Sequence, residues 1–181
     1  MSEFRIFDEK QLNSNYLTLK KSGITSFFQQ QNEEDLVKIK DSYVNQLMEE
    51  YKIVIPQLDY ENIHKELKEA GAMDIYKFKI SFTSNNTEYF ELDPGTGLIW
   101  THSVYIEGNN LCFDIQDLNM TVEEIEREFK EIVENIKKRC DTVNTIINRY
   151  NQELKVFIEK EYGNREDRLL NRKKKSNALG L

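Results

Sequence analysis

From Thr121 to Tyr162 the chain runs without a proline or a glycine, and apolar or semi-apolar residues recur along it at steps of three and four. They are Val122, Ile125, Phe129, Ile132, Ile136, Cys140, Val143, Ile147, Tyr150, Leu154 and Phe157. This spacing predicts one long amphipathic helix with a heptad-like seam, shifted slightly where a step of four separates Ile136 from Cys140. Thr121 and Glu124 stand where a capping box would open it. About forty residues at 1.5 Å each span on the order of 60 Å. A domain of this size has a radius of gyration of roughly 16 Å. The first half, Val122 to Ile136, is expected to cover a small sheet. The second half must project, fold back, or pack on another polypeptide. The seam residues Val143, Ile147, Tyr150, Leu154 and Phe157 are therefore read as an interface in a homo-oligomer of coiled-coil type. On that reading Ile147→Asp dissociates the assembly.

The remaining composition narrows the function. The 181 residues are 39% hydrophobic and 31% charged, which suits a soluble domain with a core. No apolar run reaches the roughly 18 residues of a membrane span, and the first residues have no signal-peptide pattern. The two cysteines, Cys112 and Cys140, form no CxxC pair, which removes a zinc finger or ribbon and favours a reducing cytoplasm over a disulfide framework. The formal charge is −7, but Arg165, Arg168, Arg172, Lys173, Lys174 and Lys175 stand against only Glu166 and Asp167, so that segment is +4 and the remainder is −11. Only this basic segment could attract phosphate or an acidic partner.

Upstream of the long helix the chain changes period. The first thirty residues are ambiguous: Tyr16, Leu17 and Leu19 fit a strand or a short helix that Gly23 breaks. Asn32 reads as a cap, followed by one helix with Leu36, Ile39, Tyr43, Leu47 and Tyr51 on its apolar stripe and Pro56 as its stop. A second short helix is expected from Asp59 to Ala70, burying Ile63, Leu67 and Ala70, with Gly71 as its left-handed cap. Four alternating runs follow: Tyr76 to Phe82, Tyr89 to Asp93, Leu98 to Ile106 and Leu111 to Gln116. Turn signals at Ser84–Asn86, Asp93–Gly97 and Glu107–Asn110 separate them. They read as an antiparallel meander with one buried face. The expected class is thus α+β: N-terminal helices, a four-stranded antiparallel meander and a long C-terminal helix. The expected layout is an α+β domain over 1–136, a projecting helix and basic linker over 137–175, and the start of a continuing chain over 176–181.

Few residues carry candidate chemistry. His102, on the face of Trp100 and Val104, reads as a hydrogen-bonded core or rim histidine, or as a general base or ligand. Combined with the carboxylates Glu88, Glu91, Asp93, Asp114 and Asp117, it is the centre of a metal-dependent hydrolase as one alternative. No Glu-x-Lys follows at nuclease spacing, and outward acids on a half-solvated sheet explain the same pattern. His64 reads as a solvent-exposed residue, and Cys140 as a structural thiol on the apolar seam. The glycines of Asp93–Gly97 match neither a P-loop nor a dinucleotide fingerprint. The basic cluster Arg165, Arg168, Arg172, Lys173, Lys174 and Lys175 reads as the dipole-compensating end of a helix, or as the contact of a nucleic-acid-binding adaptor.

The closing stretch holds Tyr150-Asn151, Leu154, Ile158, Asn164-Arg165, Arg168-Leu169-Leu170 and Ala178-Leu179-Gly180-Leu181. Together with the meander it resembles the non-catalytic N-terminal regions that precede effector domains in multidomain bacterial anti-phage defence proteins. The match covers about the C-terminal half and is compositional; it transfers no catalytic residue. It implies an assembly or sensing role in a bacterial cytoplasm. The chain is accordingly expected to be a non-enzymatic oligomerisation scaffold that joins an effector domain or subunit. It needs no cofactor, no metal and no membrane.

Overall fold

The computed structural model describes residues 10–11, 14–36, 40–71, 73–83, 88–93 and 103–180. These described residues fall into two compact units, one holding 10–11 and those between 54 and 146, the other those between 14 and 53 and between 147 and 180. The elements are β1 (Lys10–Gln11), α1 (Ser14–Gln30), α2 (Glu33–Leu36), α3 (Lys40–Tyr51), β2 (Gln57–Leu58), β3 (His64–Ala70), β4 (Met73–Thr83), α4 (Glu88–Glu91), β5 (Leu92–Asp93), β6 (Val104–Glu107), β7 (Asn110–Asp117) and α5 (Val122–Leu179). The class is α+β, with an antiparallel sheet and a long C-terminal helix.

In the first unit the sheet is built on β4. Its period-two alternation places Tyr76, Phe78, Ile80 and Phe82 on one face and Lys77, Lys79 and Ser81 on the other. β7 pairs antiparallel with one side of β4, from Asp74↔Asp117 to Ser81↔Asn110, and β6 closes that edge as a hairpin partner of β7. Gly108, at φ 60°, makes the hairpin turn. The other side of β4 is shared by β2 and β3. Helix α5 begins at the expected capping box: the Thr121 N–H donates to Glu124 Oε2 at 2.8 Å, and the Glu124 N–H to Thr121 Oγ1 at 3.3 Å. Its first turns lay Phe129 against Phe78 and Phe113, at ring distances of 4.7 and 6.0 Å, and bury Ile132, Val133 and Ile136.

Two expected elements change type here. The helix expected from Asp59 to Ala70 is a strand, β3, preceded by a turn in which Asp59 Oδ1 accepts the N–H groups of Glu61 and Asn62. The reason is tertiary: β3 pairs with β4 over its full length, from His64↔Lys79 to Ala70↔Met73, and that ladder overrides helix propensity. Gly71, at φ 71°, is left-handed as expected, but it follows a strand. The strand expected around Phe90 is the one-turn helix α4 followed by β5, which pairs parallel with β1. Tyr89 and Phe90 are both buried, so neither follows a half-solvated alternation. Of the third expected run, the residues before Ser103, including Leu98, Trp100 and His102, lie outside the described residues.

In the second unit, α1 runs unbroken through Gly23. A Cβ at that position would lie 2.8 Å from the Tyr51 hydroxyl, so the glycine lets α1 approach the end of α3. Asn32 caps α2 as expected, accepting the Asp35 N–H at 2.9 Å. The single helix expected beyond it is α2 and α3, with 37–39 outside the described residues. Helix α5 passes Gly163 without a break and ends at Leu179, so its 58 residues span about 87 Å. Its second half is sheltered within the chain. The Tyr150 hydroxyl donates to the Tyr51 carbonyl at 3.1 Å, and the Tyr162 hydroxyl to the Leu36 carbonyl at 2.8 Å. The Phe28 ring meets Tyr162 edge-on, with centroids 6.0 Å apart. The expected division at 136 is thereby corrected: residues 14–53 belong with the far half of α5, because their own apolar residues Ile24, Phe28, Leu36, Val44, Leu47 and Ile53 need the same cover.

Candidate functional site

The seam residues are not an open surface. Val143, Ile147 and Leu154 are fully buried and Tyr150 is 2% exposed. Phe157 is half-buried, with the Lys21 ammonium 5.6 Å over its ring. The expected interface is therefore corrected. Val143 is buried in the first unit, and from Ile147 onward the apolar strip of α5 packs within the second unit, where Tyr150, Phe157 and Tyr162 meet Tyr51, Lys21 and Phe28 of α3 and α1.

The basic segment is where α5 emerges from this cover. Tyr162 is its last buried residue. Arg165 is committed internally: its Nε donates to the Gln31 carbonyl at 2.9 Å and its Nη2 donates to the same oxygen, which caps the end of α1. Arg168, Arg172, Lys173, Lys174 and Lys175 are exposed. The expected cationic set of six thus becomes one structural arginine and five surface cations. Leu170, 49% exposed, lies among them, and Leu179, 73% exposed, ends the helix beyond them.

A third feature is a buried charge network on the sheet. Lys77 lies on the face of β4 that alternation assigns to solvent, yet it is only 3% exposed. Its Nζ donates to Glu107 Oε2 at 2.8 Å and stands 5.2 Å over the Tyr105 ring. Tyr105 donates in turn to the Asp114 carboxylate at 3.0 Å, and Lys79 pairs with Glu66 at 3.0 Å. Burial opposes the Lys77 charge, but the hydrogen bonds to Glu107 and Tyr105 outweigh it and hold its pKa above the ordinary lysine value. The same bond from Lys77 holds the Glu107 carboxyl below its ordinary value. Burial pushes Tyr105 up to about 12. Each of these charges has a partner inside the chain, so the network ties β3, β4, β6 and β7 together. Nothing in the sequence marks Lys77 as buried, because its partners Glu107 and Tyr105 come from β6, on the far side of β7.

The residues of the hydrolase alternative do not converge among the described residues. Glu88 and Glu91 lie on α4, not on a strand. Asp114 and Asp117 point to opposite faces of β7 by alternation; the first accepts from Tyr105, the second accepts the Met120 N–H at 2.8 Å. His102 and the Asp93 side chain lie outside the described residues. No group of three or more His, Cys, Asp or Glu among the described residues could hold a metal ion. His64 is exposed on β3. Cys112 and Cys140 are both free and buried, and burial pushes both thiols up. No helix among the described residues is long and apolar enough to cross a membrane.

Comparisons with protein-family models, with curated proteins and with solved structures find no match to this chain.

Proposed function

We propose that the protein is a non-enzymatic assembly module that gathers copies of itself with an attached or separate effector subunit, in keeping with the likeness of its closing residues to regions ahead of bacterial defence effectors. The observation that supports this reading is the end of α5. From Glu166 to Leu179 the helix contains no buried residue. A helical segment of that length is marginal in water by itself, and a partner surface supplies the burial it lacks. The segment Arg165–Lys175 is +4 and the remainder of the chain −11, so the attractive partner surface is an acidic one, which the body of another copy provides.

The test is the weight-average mass of the full chain beside that of an Arg168→Glu, Arg172→Glu, Lys174→Glu variant. The wild type is expected to exceed 21.5 kDa as concentration rises, and the variant to stay lower. Monomer mass for the wild type at every concentration contradicts the reading.

One observation favours a second reading, a nucleic-acid-binding adaptor: five cations are exposed on one helix end. Such binding would weaken with salt by roughly 0.7–0.9 logarithmic units per phosphate neutralised. Titration with a single-stranded oligonucleotide at about 50 mM salt decides it; an absence of binding there removes the adaptor.

A further inference from the structure

Strand β3 is an edge. It pairs with β4 along one side, and among the described residues nothing pairs with its other side. The strand is exposed for most of its length, and Leu67 at its midpoint is 56% exposed between charged neighbours. An edge of this kind is a template for another strand unless its side chains forbid pairing. Here they specify it.

We propose that β3 pairs antiparallel with β3 of a second copy, centred on Leu67, to make a two-fold symmetric dimer with one continuous sheet. This rests on the assembly reading and adds to it a second, strand-to-strand contact between copies. In that register Leu67 meets Leu67 once, on the two-fold axis, while Lys65 meets Glu69 and Glu66 meets Lys68 twice each. Directly opposed residues share a face, so Leu67 and the Lys65–Glu69 pairs lie on one side of the sheet and the Glu66–Lys68 pairs on the other. The other registers near it are penalised. A one-residue slip sets Lys65 against Lys68 or Glu66 against Glu69. A two-residue slip sets Glu66 against Glu66 or Lys68 against Lys68. Parallel in-register pairing sets every charge against its own kind. Opposed like charges destabilise a strand pair, so the pattern selects one arrangement and one partner, a second copy of this chain. The existing contacts of these side chains are compatible with it. The Lys79 ammonium reaches Glu66 from the neighbouring strand, and the Lys65 ammonium stands 5.3 Å over Phe129.

The test is a charge exchange read by sedimentation equilibrium on the full chain. Wild type is expected to show a concentration-dependent dimer. Lys68→Glu alone places two acids opposite Glu66, and Glu66→Lys alone places two cations opposite Lys68; each is expected to weaken dimerisation at least tenfold. An equimolar mixture of the two variants restores both pairs and is expected to form a heterodimer close to wild-type strength. Amide exchange in β3 of each variant at low concentration verifies that the strand remains paired to β4. A wild-type oligomer whose mass is indifferent to both variants, or a mixture that stays monomeric, overturns the β3 dimer and leaves the assembly reading standing. A wild type that is monomeric throughout overturns both.

Discussion

The Asn151 side chain and the Ile53 backbone hold each other by a reciprocal pair of hydrogen bonds. The Ile53 N–H donates to Asn151 Oδ1 at 3.1 Å, and Asn151 Nδ2 donates to the Ile53 carbonyl at 2.9 Å. The amide thus does for one residue what a neighbouring strand would do, just where α3 has ended and the chain is no longer helical. Asn151→Ala leaves both backbone groups of the buried Ile53 without that partner. The expected loss is about 1–3 kcal/mol in unfolding free energy by urea denaturation. Asn151→Asp keeps the acceptor, loses the donor and sets a carboxylate against a carbonyl, so it is expected to lose at least as much. An unchanged midpoint for both would refute the latch.

The buried seam makes a different demand from an intersubunit one. Leu154→Ala is expected to cost about 2–5 kcal/mol of stability and Ile147→Asp more, since the latter buries an unpaired carboxylate. Neither substitution should act by dissociating an otherwise folded chain. Circular dichroism of Ile147→Asp separates the cases: loss of cooperative unfolding is expected, and a well-folded monomer would restore the seam as an interface.

Two helical glycines should respond oppositely to alanine. At Gly163 a Cβ meets nothing within 4 Å, so Gly163→Ala is expected to stabilise by about 1 kcal/mol through helix propensity. At Gly23 the added Cβ would fall 2.8 Å from the Tyr51 hydroxyl and 3.0 Å from its Cε1, so Gly23→Ala is expected to lower the melting temperature. Equal stabilisation by both would mean that α1 and α3 do not approach as described.

The Lys77–Glu107 pair sets an acid limb. Glu107 is held below the ordinary value of 4.5, so its contribution is present above that pH and is lost as pH falls through its lowered value. Glu107→Gln leaves the buried Lys77 charge without its counter-charge. The variant is expected to be less stable at neutral pH and to lose less stability than wild type between about pH 5 and 3. Parallel pH profiles for the two proteins would show that the pair does not contribute.

The legible parts of this fold were those whose pattern is local. The Thr121–Glu124 box, the run from Val122 to Phe157 and the alternation of Tyr76 to Phe82 each state their element without reference to the rest of the chain. Where a segment's partner decides, sequence was silent. His64–Ala70 has residues that satisfy a helical stripe and a strand equally, and only the ladder to β4 chooses. Helix α1 has a glycine in its middle because Tyr51 lies against it. The seam pointed to the right residues and the wrong cover, since no periodicity says that residues 14–53 return to the far half of α5. Lys77 was invisible for the same reason: burial of a charge depends on Glu107, which lies across the sheet.

Light scattering of the full chain over two decades of concentration, with and without a single-stranded oligonucleotide, bears on the assembly reading as a whole. A mass climbing from 21.5 kDa toward at least twice that value, unaffected by the oligonucleotide, is the expected result. A constant monomer mass that increases only by the mass of bound oligonucleotide would contradict it.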